Sequence, residues 1–382
     1  MADETYLIMR VTGGAEKAFD PLAPTDLKEA VRDPGAKVEV SAEALDDQQY
    51  REARRDPSVA GVALPFPVQL IEPVDEPEAA EAEPQTVNNA TWGVAATGAL
   101  QSPYDGQSVT VAVLDTGIDA SHEAFQGIEL IEKDFTGEGN GDQHGHGTHV
   151  AGTIFGQSAQ GLRIAVAPGV RRALIGKVIG TQSSATTKEI VDAIMWAIDQ
   201  GAHVINMSLG FDFPGLVKWL VDQQGMPADL ATSKALAQYR DNVRFFDSMG
   251  DLLRARAAQF SGALLVAAAG NESKRNVHPN YTIEVSPPAV AEGIVAVAAL
   301  QKTGAQYTVA SFSNTRAVVA APGVAVRSAK AGGSYQNMSG TSMASPHVAG
   351  VAALWAERQL NRPGGFNVAA LDAQLRGHTR MQ

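Results

Sequence analysis

The stretch Gly340-Thr341-Ser342-Met343-Ala344-Ser345-Pro346-His347 contains the first group suited to chemistry. Gly340 permits a tight turn, and Thr341 and Ser342 fall at the expected start of a helix. Pro346 fits near that start, where a missing N–H costs little. The small, apolar run from Val348 to Leu354 then reads as a buried helix. A serine so placed holds its hydroxyl beside unpaired N–H groups that can stabilise an oxyanion, which makes Ser342 a candidate nucleophile. A capping serine before a core helix is the plain alternative, and the choice depends on partners. Three other stretches could supply them. Asp115 closes the apolar run Gln107 to Leu114, and parallel α/β folds place their chemistry at the C-terminal ends of such strands. His144, His146 and His149 lie two and three residues apart, a cluster that could suggest zinc. No Glu stands where a His-Glu-x-x-His site needs its base, however, and the chain has no cysteine. Asn271 follows Gly270, a pair at home in turns.

In combination these stretches resemble one family. Gly340 to Pro346 resembles the catalytic-serine motif of the subtilisin-like serine proteases, or subtilases. Asp115-Thr116-Gly117-Ile118-Asp119, His146-Gly147-Thr148-His149-Val150-Ala151-Gly152 and Gly270-Asn271 match the family's aspartate, histidine and oxyanion motifs, and the likeness runs from Trp92 to about Arg376. The order Asp, His, Ser along the chain is that of subtilisin and differs from that of chymotrypsin or the α/β-hydrolases. The resemblance implies that Ser342 is the nucleophile, His146 its general base, Asp115 the group that orients the imidazole, and Asn271 an oxyanion donor. It makes His149 a packed helix histidine. It also implies that the backbone of Ser208, Leu209 and Gly210 pairs with an extended peptide. Ser183 and Ser184 would line one edge of the groove, with Ala268, Ala269 and Gly270 as further lining. The expected activity is that of a serine endopeptidase that cleaves polypeptides through an acyl-enzyme.

Asp56-Pro57-Ser58-Val59-Ala60 resembles the closing stretch of the subtilase inhibitory prodomain. The N-terminal module is therefore expected to be the enzyme's own intramolecular inhibitor, in a self-processed zymogen. Its tail, Pro65 to Ile71, would lie along the groove with its last residue at the nucleophile. The two prolines would leave that pairing incomplete. The competing class is a catalytically quiet binding protein with a permanently seated module; a metal-dependent hydrolase rests only on the histidines. No metal or cofactor is expected. Where calcium-binding relatives carry an acidic ligand this chain has Ala124, and Gln157 to Gly161 lacks the expected asparagine. Glu138 to Asp142 could still hold a cation by itself. The chain also ends at Gln382, short of the family's usual last strand and helix.

Composition sets the wider limits. A chain of 382 residues, 45% apolar and with 37 glycines, can bury a large core and make many turns. The net charge of −12 is concentrated at the start: residues 1–85 carry 19 acidic and 8 basic side chains, and the remaining 23 acidic and 22 basic nearly cancel. This argues against nucleic acid as a partner. No apolar run is long enough to cross a membrane. Met1-Ala2-Asp3-Glu4 lacks the basic region and apolar run of a signal peptide, so the expected location is cytoplasmic unless a signal has been removed.

The elements that must position these groups follow from periodicity. Residues 1–71 read as a small α+β module: strands at Thr5–Val11, Lys37–Ser41 and Val59–Leu64, helices at Asp26–Arg32 (capped by Asp26) and Asp47–Arg55. Residues 72–90, rich in Pro, Glu and Ala, read as an acidic linker. Residues 91–382 read as an α/β domain with a mostly parallel twisted sheet and helices on both faces. Within it, Arg172–Ile179 and Val204–Gly210 are expected strands and Thr187–Gln200 a helix. Residues from about 212 to 250 are an insertion relative to the family core. It is expected to be helical with Leu236, Tyr239, Val243 and Phe246 on one stripe, and is a candidate partner surface.

Overall fold

The computed structural model describes residues 4–13, 27–33, 36–74, 86–158, 161–181, 184–257 and 262–378. At the N-terminus, β1 (Glu4–Thr12) leads to α1 (Leu27–Ala30), β2 (Lys37–Leu45), α2 (Asp47–Ala53) and β3 (Val59–Ala63). The strands form an antiparallel sheet in the order β2-β1-β3. Leu7, Met9, Val11 and Val38 carry its apolar face, joined by Val31. Asp46 starts α2 with a capping box whose other half is Gln49; the cap expected at Asp26 lies outside the described residues.

β4 (Pro67–Leu70) leaves this module and enters the groove described below. Residues 75–85 are outside the described set. The end of the expected linker is regular, because β5 (Thr86–Val87) and β6 (Ala90–Thr91) form a hairpin ahead of α3 (Trp92–Ala96). Thr91 caps α3 through its side chain.

In β7 (Thr110–Asp115), Val111 and Val113 face one side and Ala112 and Leu114 the other, and all are fully buried. Such a strand needs a layer on each face. Around it lie β8 (Glu129–Asp134), α4 (His146–Phe155), β9 (Arg172–Lys177), β10 (Ser184–Thr186), α5 (Thr187–Asp199), β11 (Val204–Met207) and β12 (Leu209–Phe211). The insertion supplies α6 (Phe213–Asp222) and α7 (Ala228–Ala257). Then come β13 (Leu264–Ala268), β14 (Ile294–Thr303), β15 (Gln306–Val309), β16 (Val319–Pro322), the hairpin β17 (Val326–Ala329) and β18 (Tyr335–Met338), α8 (Thr341–Leu360) and α9 (Val368–His378). The central sheet runs β15-β14-β13-β11-β7-β9-β8 with β16 also on β14, and every pairing is parallel except that of β15. α4 and α8 cover the Val111–Val113 face. α5, part of α7 and the N-terminal module share the cluster on the other face.

Two expectations about elements need correction. Val204–Gly210 is not one strand. It breaks at the buried Ser208, so β11 stays in the central sheet and β12 joins β4 and β10 in a separate one. Nor does the insertion bury Leu236, which is 58% exposed. The stripe that packs is Ala231, Ala235, Asn242, Phe246 and Met249, at helical spacing one residue out of phase with Leu236. That face is occupied because α7 seats the N-terminal module. Asn242 Nδ2 donates to the Leu64 carbonyl at 2.8 Å. Gly61 lies so close that a Cβ there would come within 2.9 Å of the Phe245 ring. Among the described residues, no helix is long and apolar enough to cross a membrane.

Candidate active site

Asp115 is the last residue of β7 and 1% exposed. One of its oxygens accepts from the Thr116 N–H at 2.8 Å and from His146 Nδ1 at 2.7 Å. The histidine is the first residue of α4, after Gly145 in the left-handed conformation at φ 92°. α4 approaches the Asp115 turn so closely that a Cβ at Gly147 would collide with the Gly117 carbonyl. Holding Nδ1 as a donor leaves Nε2 as the acceptor, and Nε2 is buried with no hydrogen-bond partner among the described residues. Burial alone would pull this imidazole's pKa down. The charge and hydrogen bond of Asp115 outweigh that, helped by Asp142 and Glu72, and hold it above the usual value.

Three residues along the same helix, His149 is in the opposite state. Burial and the neighbouring His146 push its pKa down to about 3, and its Nε2 donates to the Val326 carbonyl at 2.9 Å. It is a packed, neutral histidine. Among the described residues no cluster of His, Asp or Glu has the arrangement of a metal site.

Asp142 is the residue whose part sequence reasoning missed. It accepts from the Thr116 hydroxyl at 2.9 Å, the Gly145 N–H at 2.7 Å, and the Thr148 N–H and hydroxyl at 2.9 and 2.6 Å. It thereby ties the turn after Asp115 to the start of the His146 helix. Burial pushes its pKa up, but the donors hold it below the ordinary range. Its place four residues before His146, at the mouth of a helix, was the available signal. Glu138, the other acid of this loop, meets Lys177 Nζ at 3.5 Å and the Thr181 N–H at 3.0 Å. The positive charge beside it belongs to the protein.

Ser342 is the second residue of α8 and fully buried. Pro346 sits six residues into this helix, deeper than its chemistry suggests. The helical bond it cannot make is that to the Ser342 carbonyl, which accepts instead from Ser208 Oγ at 3.4 Å. Asn271 is fixed at the helix mouth: Thr341 donates its N–H and its hydroxyl to Asn271 Oδ1 at 2.8 and 2.9 Å. Those bonds turn Nδ2 toward the groove. Ala268, Ala269 and Gly270 are buried behind this turn, with Ala269 bonded to Val297 and Ser286 and Gly270 to Thr341. They frame Asn271.

The groove is filled by the chain itself. β4 lies antiparallel between β10 and β12, with Gln69 opposite Ser184 on one side and Gly210 on the other, and Leu70 opposite Leu209. The Ile71 N–H donates to the Ser208 carbonyl at 3.3 Å. Ser183 lies outside the described residues. The prolines do not interrupt the pairing. Pro67 is the first residue of the strand, where a missing donor is tolerated, and its carbonyl accepts from the Asp212 N–H at 3.0 Å. Beyond β4 the Ser342 hydroxyl donates to the Ile71 carbonyl at 2.8 Å, and Asn271 Nδ2 donates to the next carbonyl, that of Glu72, at 2.9 Å. Val74 N–H then reaches the Ser339 carbonyl at 2.7 Å. A buried hydroxyl and an amide donor thus converge on two adjacent carbonyls of one extended strand. The buried Asp115–His146 pair supplies an imidazole held with Nε2 as the acceptor; the Ser342 hydroxyl is bonded to Ile71 and not to His146. Such a set can carry out acyl transfer.

The comparisons with known proteins agree. The model of the Subtilase family matches residues 106–376. Subtilisin E of Bacillus subtilis is 30% identical over 353 residues, 89% of this chain and 78% of that protein. Subtilisin DY of Bacillus licheniformis is 36% identical over 257 residues, 66% of this chain and 77% of its own length. Subtilisin-like protease 6 of Trichophyton rubrum is 33% identical over 288 residues, 70% of this chain and 58% of its own length. With most of its length matched by the family and its relatives, the chain belongs to the subtilases and is a serine endopeptidase.

Proposed function

We propose that Ser342 attacks the substrate carbonyl while His146 Nε2 takes its proton, and that the same proton later goes to the leaving amine. Asp115 holds the tautomer that makes this possible and stabilises the imidazolium. Asn271 Nδ2 and the first-turn N–H of Ser342 receive the developing oxyanion. Water then hydrolyses the acyl-enzyme by the same relay. The observation that carries this reading is the serine hydroxyl already bonded to a peptide carbonyl at 2.8 Å, and the Asp115–His146 bond at 2.7 Å supports it.

The protein in this reading is a zymogen whose residues 1–71 inhibit it by occupying the substrate's place. The Ser342 contact favours self-cleavage after Ile71, with the linker as the second choice. The enzyme is latent before the cut because its two catalytic devices address different peptide units: the hydroxyl meets the Ile71 carbonyl, and the oxyanion amide meets that of Glu72. Labelling with a serine-directed phosphonate, followed by peptide mapping, tests the assignment. One adduct on Ser342 is expected, and labelling of another residue with Ser342 unmodified would refute it.

A further inference from the structure

Phe66 is fully buried, yet it belongs to the segment a substrate would replace. Its ring stacks on Phe211 at 4.9 Å and 22°, and meets Tyr239 edge-on at 6.2 Å and 76°. Tyr239 stands edge-on to Phe211 at 6.1 Å and to Phe213 at 5.8 Å. Phe211 closes β12, Phe213 opens α6, and Tyr239 projects from α7. The box therefore depends on the insertion.

We propose that the inserted helices build an aromatic subsite, which selects peptides carrying an aromatic side chain five residues upstream of the residue whose carbonyl meets Ser342. The inference rests on the reading that β4 occupies the substrate's track. Counting back from Ile71 along β4, Leu70, Val68 and Phe66 alternate with Gln69 and Pro67, and the first three are 3%, 1% and 0% exposed. Backbone groups hold the far end. Phe66 N–H donates to Thr187 Oγ1 at 3.0 Å, and its carbonyl accepts from the Thr187 N–H at 2.9 Å. Any peptide with an N–H at that position can make these bonds, so they hold the strand without choosing a side chain. The choice falls to the box, whose stacked and edge-on walls fit a flat ring better than a branched aliphatic side chain.

The test uses two internally quenched peptides on the full chain. Both carry the sequence of residues 64–71 followed by Ala-Ser; one has Ala in place of Phe at the position of Phe66. The aromatic peptide is expected to show a kcat/KM at least about tenfold higher, the range a filled apolar pocket commands over a smaller side chain. Tyr239→Ala should bring the ratio close to one, and Tyr239→Phe should preserve it. The ratio compares two substrates on one protein, so a loss of active fraction leaves it unchanged. Equal cleavage of both peptides by the wild type overturns the subsite and leaves the peptidase mechanism standing. Cleavage of neither by protein that has cut itself and released residues 1–71 overturns the mechanism and the subsite together.

Discussion

Segment 66–74 is held in unlike ways at its two ends. Near Ser342 it is gripped by single polar bonds: one from the serine, one from Asn271, one to Ser339. Near Phe66 it is gripped by buried rings and by main-chain pairing on both sides. Polar bonds to a carbonyl are individually worth about 1 kcal/mol net, whereas burial of a large aromatic side chain is worth about 1.5–3 kcal/mol. Holding and chemistry are thus separated along one strand. A carbonyl at the catalytic end can be repositioned while the upstream end keeps its register.

Substitutions at the catalytic end should have the largest effects, and on rate. Ser342→Ala is expected to lower kcat by about 10⁶-fold, and Asn271→Ala by about 10²–10³-fold with little change in KM; both magnitudes are those of subtilisin itself. Steady-state assays on folded variants check them. Activity of Ser342→Ala within tenfold of wild type would sink the nucleophile, and a change confined to KM would make Asn271 a ground-state contact.

Phe66→Ala breaks the holding end instead. It should cost about 3–5 kcal/mol of the segment's attachment, the usual loss for a buried phenylalanine. The full-length variant would then show peptidase activity earlier than wild type, with the same final kcat. An unchanged lag would mean that the rings contribute little to retention.

Acid should weaken the fold around the catalytic helices. His149 and His347 are fully buried, and burial pushes their pKa values down to about 3 and about 4. Below about pH 6.5 the unfolded imidazoles take up protons that the folded ones refuse. Stability is therefore full above that pH and falls as the pH drops toward 4, which a lower urea midpoint at pH 5 than at pH 7 would register. The smallest effect is expected from EDTA, since the family resemblance aligns Ala124 with an acidic calcium ligand of relatives and Glu138 faces Lys177. A fall of more than about 10 °C in melting temperature would reveal a structural ion.

The same contrast governs what could be read from the sequence. Asp115, His146, Asn271 and Ser342 stand in short stretches at a strand end, a helix mouth and a glycine turn, and it was the family these stretches resemble, not the residues singly, that gave each its expected role. The parallel sheet was legible locally, since strands buried on both faces read as continuous apolar runs. Other features depend on what packs from a distance. The break at Ser208 comes from its hydroxyl meeting Ser345 and the Ser342 carbonyl, in a helix more than a hundred residues later. The true face of α7 is set by Gly61 and Leu64 of the N-terminal module, so the hydrophobicity of Leu236 misled the stripe. The ring box around Phe66 draws on β12, α6 and α7 and has no signature in any of them.

The most direct test of the account is the intact mass of the purified protein, wild type beside Ser342→Ala. If Ser342 is the nucleophile and residues 66–74 lie in the substrate's place, the wild type should resolve into two fragments, the N-terminal one ending at Ile71 or within residues 72–85. Ser342→Ala should remain a single chain of 382 residues. Identical cleavage of both proteins, or a wild type that is fully active while uncut, would contradict it.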